Sequence, residues 1–81
     1  MGLDVVELVM SYEQAFGIKI PNDVAATLET PKMVIDYIEG RQDVDLSREQ
    51  IAKTVRELTI ELSGEKVYRE DAYFVKDMGL D

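Results

Sequence analysis

Residues 47–64 read SREQIAKTVRELTIELSG and contain the best-marked helix of the chain. Ser47 and Gln50 stand at the positions of a capping box, in which the hydroxyl and the amide each pair with a free backbone N–H at the helix start. One apolar stripe follows at helical spacing, formed by Ile51, Val55, Leu58 and Leu62. The pattern predicts a helix that begins after Ser47 and ends at Gly64.

Two more helices are predicted upstream of this one. Apolar residues recur at helical spacing from about Leu3 to Phe16, and Gly17 can take the left-handed conformation that ends a helix. Thr30 and Pro31 then supply a capping hydroxyl followed by proline at the first helical position. The helix that they begin is expected to stop near Gly40.

The rest of the chain carries weaker signals. Ile18 and Ile20 lie in an extended connector and are expected to fill the core, while Asn22 or Asp23 is expected to cap a short helical turn. Residues 65–81 have no sustained period, so we expect a long packed loop anchored by scattered apolar side chains, namely Val67, Tyr68, Tyr73, Phe74, Val75, Met78 and Leu80. With no convincing strand, the sequence predicts an all-α fold, a small bundle of three main helices and one short helix.

Length and composition limit the functions open to the chain. Its 81 residues predict one domain, residues 1–81, with little room for an enzyme cleft. Seventeen acidic residues against nine basic ones give a net charge of −8, which repels nucleic acid and anionic lipid and favours basic protein surfaces as partners. There is no cysteine and no histidine, which removes thiol and imidazole chemistry. We therefore expect a non-enzyme without a membrane span, located in the cytoplasm by default.

No metal site is expected either. Asp43, Asp45 and Glu49 are spaced somewhat like calcium ligands, but the glycine and the final glutamate of an EF-hand loop are missing. A solvated linker accounts for them better.

A second strip of side chains lies beside the core stripe of the first helix. Leu3, Val6 and Met10 follow one another at helical spacing, and acidic side chains border them at Asp4, Glu7 and Glu13. Such a strip suits docking to a partner with an apolar groove and a basic rim. The alternative is a helix that is simply buried over a wide arc.

Three motifs follow one another without a gap in the first half of the chain. Residues 3–10 read LDVVELVM, residues 16–23 read FGIKIPND and residues 30–38 read TPKMVIDYI. They are similar to the patterns DSLDxVELVM, FxxxIPDE and TVxxxIDYI of acyl carrier proteins. Because the spacing is shared as well, residues 2–40 resemble helices two, three and four of that family.

The second half resembles the front end of the same family. Residues 47–64 look like carrier helix one, and residues 70–81, EDAYFVKDMGLD, resemble the loop pattern NxAxFxEDLGxD that leads to the modified serine. The chain therefore looks like a circularly permuted carrier in the order two, three, four, one, with residues 41–46 as the linker and 47–81 as helix one plus the long loop. Six linker residues, at roughly 3.3–3.6 Å each, are long enough to join neighbouring helices.

The family's attachment site is altered in this sequence. Members carry 4′-phosphopantetheine on the serine of DSL; here Asp81 matches the D and Leu3 matches the L, but Gly2 stands where the serine belongs and Met1 is inserted. Glycine has no hydroxyl to form the phosphodiester, and the three serines at 11, 47 and 63 do not replace it. The resemblance therefore implies no cofactor for the chain as written.

The resemblance implies a carrier-like domain related to fatty-acid or polyketide synthesis that presents an acidic helix to acyl-chain-processing enzymes. The recognition residues that it implies are Leu3, Asp4, Val6, Glu7, Met10 and Glu13. Three functions stay open: a carrier that is inactive as written, a binding or regulatory module with the same fold, and a carrier modified at an unexpected serine. We expect a monomer, with a dimer formed by exchange of helices as the alternative.

Overall fold

Four helices make up the secondary structure of residues 3–80, the part of the chain that the computed structural model describes. They are α1 (Leu3–Phe16), α2 (Asn22–Ala25), α3 (Pro31–Glu39) and α4 (Arg48–Ser63). No strand occurs within this range, which confirms the all-α prediction, and side chains are described for residues 4–80. The radius of gyration is 11.5 Å, close to the value expected for a folded domain of this length.

The two capped helices begin as the sequence predicts. The Ser47 hydroxyl accepts from the Gln50 N–H at 3.2 Å, and the Gln50 side chain accepts from the Ser47 N–H at 3.0 Å, which completes the capping box of α4. The Thr30 hydroxyl accepts from the Met33 N–H at 3.2 Å and caps α3. At its far end α4 stops at Gly64, whose φ of 71° is left-handed and favours glycine.

The start of the short helix differs from the prediction. Asn22 and Asp23 lie inside α2, and Pro21 is the capping residue, without a side-chain hydrogen bond. The reason is that the Pro21 carbonyl already accepts the Ala25 N–H at 2.9 Å, so the helix begins at Asn22. The isoleucines before it, Ile18 and Ile20, are buried as expected.

The fourth helix lies at the centre of the packing. The main helix–helix contacts are those of α4 with α1 and of α4 with α3. Ile51 and Val55 of α4 are fully buried, and Leu58 and Leu62 are partly buried against the same core. On α1 the apolar face is narrower than its sequence pattern suggests, since Ala15 is exposed.

The segment after α4 is an irregular loop that completes the core. Phe74 and Leu80 are buried in it, whereas its other apolar side chains are half-buried or exposed. Two backbone hydrogen bonds fasten the loop near the start of α3: the Phe74 N–H donates to the Glu29 carbonyl at 2.9 Å, and the Lys32 N–H donates to the Glu70 carbonyl at 2.8 Å. The loop is therefore part of the folded unit.

Two buried hydroxyl groups join α1 to α4, and a third lies buried in the C-terminal loop. Thr59 donates to the Val55 carbonyl, so the Tyr12 hydroxyl donates to Thr59 at 2.6 Å. Burial raises the pKa of Tyr12. The hydroxyl of Tyr68 is also buried, but it has no hydrogen-bond partner among the described residues. Burial and the nearby Glu70 carboxylate raise the pKa of Tyr68 to about 12.

Removal of these two hydroxyls is expected to change stability in opposite directions. Tyr12→Phe breaks a buried hydrogen bond and should lower the free energy of unfolding by about 1 kcal/mol, whereas Tyr68→Phe removes an unpaired buried polar atom and should raise it by about 1 kcal/mol. Urea unfolding at neutral pH measures both changes. A loss of stability in Tyr68→Phe would contradict this account of its hydroxyl.

The raised pKa of the Tyr68 hydroxyl predicts that the protein loses stability in alkali. A tyrosine whose folded-state pKa lies above its unfolded value of about 10 favours folding below that pH, and its contribution is lost as the pH rises towards 12. Tyr68→Phe should therefore lose less stability than the unchanged chain between pH 10 and 12.

Candidate functional site

The outer face of α1 is acidic with an apolar centre. Asp4 and Glu7 are exposed, and neither forms an ion pair within residues 3–80. Met10 is 50% exposed, and Val6 is half-buried beside it. Four of the six recognition residues inferred from the sequence thus share one accessible helix face.

The charge of this face comes from the sequence of the helix. Residues 3–16 contain three carboxylates and no lysine or arginine. The opposite side of α1 packs against the core, where Leu8 and Tyr12 are completely buried. Burial over a wide arc, the alternative interpretation of the strip, does not hold at Met10, because half of its side chain is accessible.

The other two residues inferred for recognition stand apart. Glu13 is half-buried, and its carboxylate accepts the Ile20 N–H at 2.7 Å, so it fastens the connector after α1. The side chain of Leu3 lies outside the described residues, as do Gly2 and Asp81.

An apolar cleft of about 410 Å³ opens beside the start of α1. Its walls come from the first turn of α1, from α2 with the residues after it, and from the C-terminal loop: Val5, Ala25, Ala26, Leu28, Glu29 and residues 73–76. Its volume lies in the range of small-molecule sites. The cleft was missed in the sequence, because its walls come from three separate segments.

Two opposite charges stand at the cleft. Glu29 and Lys76 both line it, and neither side chain forms an ion pair within the described range. The Lys76 ammonium lies 6.0 Å from the ring centre of Tyr73, at the limit of a cation–π contact. Because Val5 and residues 73–76 line one cleft, the start of α1 and the C-terminal loop lie at the same end of the bundle.

All three serine hydroxyls are engaged in local backbone hydrogen bonds. Ser11 donates to the Glu7 carbonyl at 3.0 Å, one turn earlier in α1. Ser47 caps α4, and the hydroxyl of Ser63 accepts the Glu65 N–H at 3.2 Å. None of the three lines the cleft.

Other kinds of site are not found in the part of the chain that is described. The sequence has no histidine or cysteine, so only carboxylates are considered as metal ligands here. Between residues 3 and 80 no three of them lie close enough together to hold a metal ion. Over the same residues, every helix is too short or too polar to cross a bilayer.

No family model matches this chain. No solved structure matches it significantly.

Proposed function

We propose that the chain is an acyl-carrier-like docking module, related to fatty-acid or polyketide synthesis, that lacks the serine for 4′-phosphopantetheine. It binds the basic surfaces of acyl-chain-processing enzymes through the exposed face of α1. In this proposal the fold is a carrier bundle in permuted order, in which α1, α2 and α3 correspond to carrier helices two, three and four, and α4 to helix one.

The observation that carries the proposal is the one-sided charge of α1. Asp4 and Glu7 are exposed and form no ion pair within the described residues. Met10 on the same face is half-exposed, and the helix contains no lysine or arginine. An apolar centre with an acidic border is complementary to an apolar pocket with a basic border. The net charge of −8 favours encounter with the same class of partner.

The position of the loop supports the permuted order. In a carrier read from helix one, the loop after that helix leads directly to the start of helix two. Here Phe74 and Val5 line one cleft, so the C-terminal loop lies beside the start of α1. A bundle of this order needs that closeness.

The third function left open by the sequence, modification at another serine, has less support. Ser47 and Ser63 are tied to the two ends of α4, and Ser11 is bonded back to its own helix. None of the three stands where the family's motif places its serine, between the residues that match its D and its L.

Charge reversal at Glu7 tests the docking face. Glu7→Lys should weaken binding to a carrier-dependent condensing enzyme with a basic docking site by about tenfold, equivalent to about 1.4 kcal/mol, because it places a cation against the partner's cations. Glu57→Lys makes the same change at an exposed position of α4. Calorimetric titration of the partner with each variant gives the two affinities.

The Glu57→Lys variant is the control for the effect of net charge. Glu57→Lys changes the net charge equally, so it should lose no more than the small long-range effect of charge. Equal losses in both variants, or unchanged binding in Glu7→Lys, would contradict a docking face on α1.

A further inference from the structure

One exposed connector joins the two halves of the molecule. It runs from Gly40 to Ser47, between α3 and α4, and most of its residues are exposed. Contacts such as the Tyr12–Thr59 hydrogen bond join residues before the connector to residues after it. A second copy of this chain offers the same surfaces to residues 48–80. The path of the connector therefore decides whether the halves pair within one chain or between two.

A single arginine holds the connector in its bent path. Nε and Nη2 of Arg41 donate to the two carboxylate oxygens of Asp43, at 2.8 and 2.6 Å. Nη1 donates to the Lys19 carbonyl at 2.9 Å and to the Tyr37 hydroxyl at 2.8 Å. The Arg41 guanidinium thus fastens the turn at residues 42–43 to α3 and to Lys19, in the segment between α1 and α2.

The other ion pairs near the connector do not distinguish the two arrangements. Arg48, at the start of α4, contacts Asp36 and Glu39 of α3, both at 2.8 Å. This contact joins the two halves and would form equally well between copies. The Arg41 guanidinium instead bridges Asp43 to the Lys19 carbonyl and the Tyr37 hydroxyl, and a connector that straightens away from α3 cannot keep all of these contacts.

We infer that Arg41 keeps the chain in its one-copy form, and that residues 48–80 exchange with a second copy when the Arg41–Asp43 pair opens. The eight residues of the connector reach roughly 26 Å when extended. That length is comparable with the 25 Å middle dimension of the molecule, so α4 can reach a neighbouring copy. The charge of −8 on each copy opposes the encounter, and salt screens that repulsion.

Arg41→Ala tests this inference, and the chain supplies a matched control. Arg69 binds Asp71 through the same two-residue spacing, at 3.2 Å, in the C-terminal loop. Both variants lose one positive charge, so repulsion between copies rises equally in each. After refolding at high protein concentration in moderate salt, light scattering should show a several-fold larger dimer fraction in Arg41→Ala than in Arg69→Ala or the unchanged chain.

A mixing experiment separates exchange from simple surface docking. Labelled and unlabelled Arg41→Ala should form hybrid dimers when they are unfolded and refolded together, and should not form them when the folded proteins are mixed. If Arg41→Ala does not fold, Asp43→Ala opens the same pair and leaves the other Arg41 contacts in place. An Arg41→Ala or Asp43→Ala variant as monomeric as Arg69→Ala, or hybrids that form without unfolding, would overturn the inference.

Discussion

Phe74→Ala is expected to lower the free energy of unfolding by about 3–5 kcal/mol, the usual cost of truncating a fully buried phenylalanine. Phe74 is only 2% exposed, although it lies in a loop without regular structure. A domain of this length has a total stability of about 4–12 kcal/mol, so the variant should lose a large part of it. Urea unfolding followed by circular dichroism measures the change.

The neighbouring residue provides the control for this prediction. Val75 is 56% exposed in the same loop, so Val75→Ala should change the free energy of unfolding by no more than about 0.5 kcal/mol. The difference in the free energy of unfolding between Phe74→Ala and Val75→Ala tests whether the C-terminal loop is part of the core. Equal and small effects would mean that residues 65–80 are an appendage and that the bundle is complete without them.

The helices were predictable because their ends carry local signals. Capping side chains at Ser47 and Thr30 and the left-handed glycines at 17 and 64 act within one turn of the chain, so they can be recognised without tertiary information. The start of α2 was predicted wrongly. The Pro21 carbonyl accepts the first hydrogen bond of this short helix and no side chain caps it, so its start carries no residue-specific signal.

The sequence did not predict which loop residues are buried. Phe74 and Val75 are adjacent and both apolar, yet only Phe74 reaches the core. Phe74 enters the core where its N–H donates to the Glu29 carbonyl, and that contact joins residues far apart in the chain. The cleft beside Val5 was missed for the same reason. Thr59 did have a local signal, because it follows Ile51 and Val55 at intervals of four residues on the buried face of α4.

The candidate docking face was more accessible to sequence analysis. Exposure of Asp4, Glu7 and Met10 follows from their spacing opposite the buried stripe of α1. Glu13 lies near the same face, but the free N–H of Ile20 engages its carboxylate. The position of that N–H depends on how the chain turns after Gly17, which helical spacing does not determine.

The second large effect concerns attachment of the prosthetic group. With a broad-specificity phosphopantetheinyl transferase and coenzyme A, the chain as written should gain no mass, because Gly2 has no hydroxyl and the three serine hydroxyls are engaged elsewhere. Mass spectrometry of the intact protein measures this outcome. A stoichiometric gain would show that one of those serines is the true site and would contradict the proposed function.

Gly2→Ser alone restores the hydroxyl but leaves the order of the segments unchanged. A transferase reads the backbone that leads from the loop into the helix, and in this order of segments that backbone is interrupted between Asp81 and Leu3. Failure to load this variant would therefore place the defect in the interrupted backbone and not in the missing hydroxyl alone.

The most direct test of the account rejoins the segments in the order of a conventional carrier: residues 41–81, one serine, then residues 3–40. If the chain is a permuted carrier, this protein should fold into the same bundle and gain the mass of one 4′-phosphopantetheine group. The same protein with alanine in place of the added serine should fold and gain nothing. A rejoined chain that does not fold, or that folds and is not loaded, would contradict the account.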